Sequence, residues 1–181
     1  MKRYIFTGTP GSGKTSLLRE LKHLGYCIIE EAATDVIAFE QEYGNLEPWL
    51  QADFIDKIVE FQKQRQLKNT TNEVQLYDRS PICTLALSRY LGHKPSDTLL
   101  EELERIERDN IFEQQVLFLD NLGFVEPTGA RKISFENALI FEKIHKEAYI
   151  DMGYELIIVP PEPLAERARR VMDWLLTRSA Q

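Results

Sequence analysis

The chain has 181 residues, 43% hydrophobic and 28% charged, with a formal net charge of −7, a length that suits one domain able to bury roughly 70% of its unfolded surface without staples. The acidic balance argues against a general nucleic-acid surface, which needs clustered Lys and Arg. The longest apolar runs are far shorter than a bilayer crossing, so no membrane span is expected.

The chain starts Met1-Lys2-Arg3, and only Tyr4-Ile5-Phe6 is apolar before Thr7. No secretory signal is therefore expected, and the expected compartment is cytoplasmic. Cys27 and Cys83 lie far apart within apolar stretches, which fits buried reduced thiols better than a disulfide or metal site.

Residues 3–7 predict a first strand, and residues 14–24 a helix with Leu17, Leu18, Leu21 and Leu24 as its apolar stripe and Gly25 as its stop. Between them runs Gly8-Thr9-Pro10-Gly11-Ser12-Gly13-Lys14-Thr15. Its spacing is glycine, four residues, glycine, lysine, then a hydroxyl residue, directly between strand and helix. Glycines let backbone N–H groups converge on phosphates, and the helix N-terminus adds favourable dipole charge. Gly8, Pro10, Gly11, Ser12, Gly13, Lys14, Thr15 and Ser16 are expected to bind a nucleoside triphosphate, read as ATP with Mg2+. Lys14 would reach the β and γ phosphates and the Thr15 hydroxyl would ligate Mg2+.

Residues 27–30 predict a second strand that ends in Glu30 and Glu31. Glu31, one residue beyond the strand, is better placed to accept the proton of an attacking hydroxyl or to hold a magnesium-bound water; a solvated strand end is the alternative. Residues 32–69 have helical spacing at Phe54, Ile55, Ile58 and Val59, interrupted by Gly44 and Pro48. The aromatic residues Phe39, Tyr43, Trp49, Phe54 and Phe61 either line a pocket for a flat-ringed acceptor, with Gln62 and Gln66 as polar contacts, or pack an inserted helical pair.

A third strand over 73–77 leads into Asp78-Arg79-Ser80 and a helix over 81–90. Asp78 and Asp120 both follow apolar strands and could be the second magnesium element. Asp78 is favoured because Arg79 would leave the same strand end with it, placing a carboxylate and a guanidinium side by side. Leu99, Leu100, Leu103 and Ile106 mark a helix starting near Ser96 or Asp97, and 115–119 a fourth strand.

Residues 121–133 carry Gly123, Pro127, Gly129, Arg131 and Lys132 and read as a lid, with Arg131 brought onto the transferring phosphoryl group; a basic surface loop is the alternative. Ser134 would cap a helix reaching residue 152, Gly153 would end it, and 155–159 would form a fifth strand. Pro163 opens a last helix with Leu164, Ala168, Val171, Met172 and Leu175 on one face. Arg167, Arg169 and Arg170 lie on it, Arg167 either stacking on a base or solvated. His23, His93 and His145 have no metal-ligand spacing and read as structural or exposed.

Alternating strands and helices imply an α/β fold with a mainly parallel five-stranded sheet covered on both faces, ligands gathering at the carboxyl ends of the strands. Residues 1–181 read as one domain, with a helical substrate-side insertion over about 32–70.

Together, the phosphate loop, the Glu pair, Asp78-Arg79-Ser80 and the basic 121–133 segment resemble the small P-loop kinases over nearly the whole chain. Asp-Arg-Ser is similar to the motif of deoxynucleoside kinases, whose arginine lies near the phosphates and the acceptor. A closer likeness is to the AAA-domain ATPase family that includes the kinase domain of NadR-type nicotinamide riboside kinases. It rests on Glu31-Ala32-Ala33 through Val36-Ile37, Phe54 through Gln62, Gly153-Tyr154 to Pro160, and Glu166-Arg167. In that family the lid arginine tends to follow an Asp-Gly pair, and here Thr128-Gly129-Ala130-Arg131 lacks the Asp.

The resemblance implies a three-layer P-loop NTPase architecture and an ATP-dependent small-molecule kinase acting on an unidentified hydroxyl acceptor. Lys14, Glu31, Asp78, Arg79 and Arg131 are its expected catalytic residues, and Thr15 and Asp78 its Mg2+ ligands. The competing reading is a nucleotide-dependent switch or slow ATPase or GTPase acting on a protein or lipid partner. The absence of an Asn-Lys-x-Asp motif tilts the base toward adenine.

Overall fold

The structure is a computed structural model that describes residues 1–68, 73–123 and 133–179. Its strands are β1 (Lys2–Thr7), β2 (Cys27–Ile29), β3 (Val74–Asp78), β4 (Gln115–Leu119) and β5 (Glu155–Val159). Its helices are α1 (Lys14–His23), α2 (Ala32–Glu42), α3 (Phe54–Lys68), α4 (Pro81–Tyr90), α5 (Asp97–Arg108), α6 (Phe135–Asp151) and α7 (Leu164–Ser179).

The five strands form one sheet in the order β2-β3-β1-β4-β5, and every neighbouring pair is parallel. Successive side chains of a strand point to opposite faces, and each face here meets helices, so the strand sequences are apolar nearly throughout. Ile5 belongs to the large core against α3, α4, α5 and α6, while its neighbours Tyr4 and Phe6 belong to the core against α1 and α7. A smaller cluster joins Ala32, Val36, Phe54 and Ile58 between α2 and α3. These are the three layers expected from the sequence.

Local chemistry explains several boundaries. Ser96 and Ser134 cap α5 and α6, their hydroxyls accepting from the N–H of Leu99 and Asn137 at 3.2 Å. Gly153, at φ 78°, takes the left-handed turn that ends α6. The helical stretch after β2 breaks at Gly44 and resumes through a single 3-10 turn over Pro48–Leu50. Two details differ from expectation. Leu164 is exposed, because Ala168, Val171 and Leu175 make the buried stripe of α7. Cys27 is only half buried, although both cysteines are free.

The chain leaves β1, crosses to the edge strand β2, returns to β3 beside β1, and then passes to the opposite side for β4. The direction of winding therefore reverses at β1. In an open parallel sheet that point leaves a crevice beyond the strand ends where ligands bind, and the loop of residues 8–15 starts there.

Candidate active site

The glycine-rich loop is held on several sides. Gly8 has φ 147°, and a Cβ there would lie 2.6 Å from the Leu119 carbonyl oxygen and 2.8 Å from Ser12 Oγ. The first clash is with backbone of the neighbouring strand and cannot be relieved by a rotamer change. Gly8→Ala is therefore expected to destabilise the chain by about 1–3 kcal/mol, read from urea unfolding midpoints; a wild-type midpoint would contradict this packing.

Ser12 N–H donates to Thr9 O at 3.2 Å, Leu122 N–H to Gly11 O at 3.0 Å, and Asn121 Nδ2 to Pro10 O at 3.2 Å. Residues just after β4 thus brace the outer rim of the loop. Thr9 Oγ1 is buried without a partner among the described residues. Gly13 sits at the N-cap of α1, Lys14 opens the helix with its side chain buried, and Thr15 and Ser16 are exposed beside it.

Asp78 is the last residue of β3 and stands opposite Phe6 of β1. That register carries its carboxylate beside the loop, where it pairs with Lys14 Nζ, the two side chains being 9% and 5% exposed. Thr15 and Asp78 also border one cavity of about 310 Å³, together with Glu30, Glu31 and Thr34. Asp120 is placed differently. It follows β4, its N–H donates to Val159 O, and its carboxylate accepts from Lys146 of α6 at 3.0 Å.

Arg79 leaves the strand at φ 74°, in the left-handed region that non-glycine residues rarely occupy. Such a conformation costs of order 1–3 kcal/mol and persists where its surroundings enforce it. Here the Arg79 N–H donates to Phe6 O at 3.0 Å and the guanidinium pairs with Glu31. Ser80 then caps α4 and its hydroxyl lies 2.8 Å from the Tyr149 hydroxyl, which also contacts Cys83 Sγ at 3.0 Å. A buried polar chain completed by Thr7 and Cys83, 3.1 Å apart, links β1, α4 and α6 beneath the site.

Glu31 accepts from Thr34 Oγ1 at 2.9 Å as well as from Arg79. Burial pushes its carboxyl upward, but the cations of Arg79 and Lys14 and the two donors outweigh this and hold it at about 2, below its ordinary 4.5. A depressed folded-state value contributes stability fully above the ordinary value and loses it as pH falls through the depressed one. Acid unfolding should therefore show a decline between pH 4.5 and about 2 that Glu31→Gln lacks, measured as urea midpoints against pH. Parallel curves for the two proteins would rule this out.

On the other side of the Arg79–Glu31 pair lies a second cavity, of about 140 Å³, bounded by Gln62 of α3, Cys83, Thr84 and Leu87 of α4, and Phe141 of α6. Thr84 Oγ1 donates to Gln62 Oε1 at 3.2 Å across it. Gln66 instead turns away and accepts from Arg105 at 2.8 Å. The aromatic residues of the α2–α3 region do not line one pocket. Phe39 and Tyr43 pack on each other at the surface with their rings tilted by 44°, Phe54 is core, and Phe61 lies under the Arg65 guanidinium.

Arg167 is buried and Arg169 and Arg170 are solvent-facing, paired with Glu166 and Glu162. Arg131 and the core of the 121–133 segment lie outside the described residues. His145 is fully buried among Phe118, Phe141 and Tyr149, and burial, then Arg79 and Lys14, keep it neutral. His23 and His93 are exposed.

Sequence reasoning missed Cys83, Thr84 and Phe141 as cavity walls. A small polar pair between the apolar Ile82 and Leu85-Ala86-Leu87 of α4 was a readable signal for the first two; Phe141, brought in by α6 from far along the chain, had none.

A parallel sheet in this order with a strand–glycine loop–helix at its winding reversal defines a P-loop protein of the nucleoside and nucleotide kinase-like fold. The chain belongs to the AAA-domain family whose model matches residues 3–167. No curated protein sequence matches it. Among solved structures it is similar to deoxyadenosine kinase from M. mycoides with bound dCTP, at 20% identity and TM-score 0.64, over 98% of this chain and 100% of that one. The same kinase with bound dATP matches at 18% identity and TM-score 0.61, over 96% and 98%. NadR in complex with NAD and AMP-PNP matches at 18% identity and TM-score 0.61 over 87% of this chain, which spans only 44% of that one.

Proposed function

We propose that the chain is a kinase that transfers the γ-phosphoryl group of ATP to a hydroxyl of a small ring-bearing acceptor, a nucleoside being the best fit. The observation that carries this is the placement of Glu31 and Arg79: they border the 140 Å³ cavity, and Glu31 also borders the cavity shared by Thr15 and Asp78. A hydrolase or switch has no need of a second cavity that shares Glu31 with the one beside the phosphate loop. That M. mycoides deoxyadenosine kinase binds dATP and dCTP, and NadR binds NR, supports an acceptor of nucleoside type.

In this reading the loop N–H groups and Lys14 cradle the triphosphate. Thr15 and Asp78 are a hydroxyl and a carboxylate beside one roomy cavity, the sparse donor set magnesium accepts when phosphates and water complete its shell, and they would hold it. Held there, Mg2+ would supply charge neutralisation to the triphosphate during transfer. The acceptor lies between Gln62, Thr84 and Phe141, its hydroxyl directed at Glu31. The hydroxyl oxygen forms a bond to the γ phosphorus, the bond from that phosphorus to the β–γ bridging oxygen breaks to leave ADP, and the hydroxyl proton passes to the Glu31 carboxylate. While paired with Arg79, Glu31 is a weak base. When the phosphates draw the guanidinium away, its basicity rises toward the range useful for proton transfer.

Incubating the protein with Mg-ATP and a nucleoside panel, nicotinamide riboside included, should give a phosphorylated product from at least one acceptor. ATP turnover to ADP and free phosphate alone, whatever acceptor is supplied, would favour the ATPase or switch reading instead.

A further inference from the structure

Arg167, at the first turn of α7, takes no part in the steps above, yet it is 2% exposed and lies against the phosphate loop. Its Nη1 donates to Ser12 O at 2.6 Å and its Nη2 to Val159 O at 3.3 Å, while Nε has no partner among the described residues. A Cβ on Gly13 would meet Nη1 at 3.1 Å. The guanidinium is thus directly behind the Ser12–Gly13 peptide.

None of the ion pairs among the described residues includes it. The two carboxylates whose field reaches it, Asp120 and Glu162, are engaged by Lys146 and Arg170. Burial lowers its proton affinity, with those two carboxylates opposing, but a guanidinium stays protonated near neutrality. A buried cation satisfied only by carbonyls is costly to keep, and an apolar side chain of similar size would fill the space more cheaply.

The geometry of the peptide group suggests what the charge does. In a planar trans peptide the C=O and the following N–H point in opposite directions. Holding Ser12 O from behind therefore turns the Gly13 N–H forward, into the concave side of the loop. We propose that Arg167 is an electrostatic positioning residue of the phosphate loop, which fixes the Ser12–Gly13 peptide in its anion-binding orientation and carries a positive charge that a bound polyphosphate neutralises. The proposal rests on the reading of the loop as a triphosphate site. It adds a third cation to Lys14 and Arg79, one that never touches the ligand.

The test is calorimetry on the full chain with AMP, ADP and ATP in the presence of Mg2+, for wild type, Arg167→Gln and Arg167→Lys, with the thermal midpoint of each apo protein recorded alongside. A charge at this depth acting over several ångströms should be worth on the order of tenfold in ATP affinity. Arg167→Gln is expected to lose that much for ATP, less for ADP and least for AMP, and to make ATP binding less sensitive to salt. Arg167→Lys, which keeps the charge but not the two-pronged grip, is expected to lose affinity while retaining the wild-type dependence on ligand charge and salt. Equal losses for all three nucleotides in both variants would reduce Arg167 to a structural prop and overturn the proposal, as would wild-type affinity in Arg167→Gln. Should glutamine prevent folding, Arg167→Met, uncharged and of similar length, takes its place in the same comparison with Arg167→Lys. Failure of the wild-type chain to bind ATP would instead remove the triphosphate reading on which the proposal stands.

Discussion

Lys14→Ala is expected to lower kcat/KM for phosphoryl transfer by about 10²- to 10³-fold, the cost of removing one preorganised group that stabilises developing charge, and to weaken ATP binding with it. The side chain is buried beside the loop and pairs with Asp78, its one partner among the described residues. Its removal takes away the cation that, in the proposed reading, meets the β and γ phosphates, and also leaves a largely buried carboxylate unpaired. Both consequences disfavour an anionic ligand. The apo protein should unfold at lower temperature as well, because breaking a buried pair from one side strands the other charge. Calorimetry with ATP and a coupled assay for ADP would register the loss. Retention of wild-type ATP affinity would remove the loop from the binding site and with it both the kinase and the switch reading.

Glu31→Gln is expected to separate binding from chemistry. The amide keeps the shape of the carboxylate, its oxygen can still accept from Arg79 and its NH2 can donate to the Thr34 hydroxyl, so ATP affinity should stay within a few-fold of wild type. It cannot take a proton, and loss of a positioned general base costs about 10²- to 10⁴-fold in kcat. A kinase whose acceptor hydroxyl faces Glu31 should show that split in single-turnover measurements with product detection. An equal fall in ATP affinity and rate would mark Glu31 as part of the nucleotide site. An unchanged kcat would assign proton removal to solvent.

The fold was legible where its signals are local. The strand, glycine loop and helix of residues 2–23 follow one another without interruption, and Ser96, Ser134 and Gly153 announce helix ends through hydrogen bonds within three or four residues. The apolar character of all five strands indicated a sheet buried on both faces. The strand order could not be read this way, because it depends on which of several equally apolar strands pair. The site divided along the same line. Asp78, Arg79 and Glu31 stood out as charged residues at strand ends, positions that a parallel sheet brings together whatever its details. The left-handed backbone of Arg79 and its pairing with Glu31 arise from packing across β1, β2 and β3, and no local pattern encodes them. The aromatic residues after β2 show the opposite failure. Phe39 and Tyr43 look like pocket walls in sequence, but their helical positions fall on the outer face of α2. Phe141, which borders the cavity, lies in α6, far along the chain from α2.

The central position of β1 has a consequence for the order in which the protein becomes competent during synthesis. β1 and the glycine loop precede along the chain the elements that hold them: β1 pairs with β3 and β4, whose residues lie at 74–78 and 116–118, and the loop is gripped from behind by residue 167. Pairings at such sequence separation form slowly, since loop closure must precede the contacts that reward it. The glycine loop is therefore synthesised well before the elements that hold it, and on the proposed reading it acquires nucleotide affinity only as α7 docks. On that reading, capture of ATP reports completion of the whole sheet, and a chain stalled before α7 should be unable to hold the ligand that the glycine loop would bind.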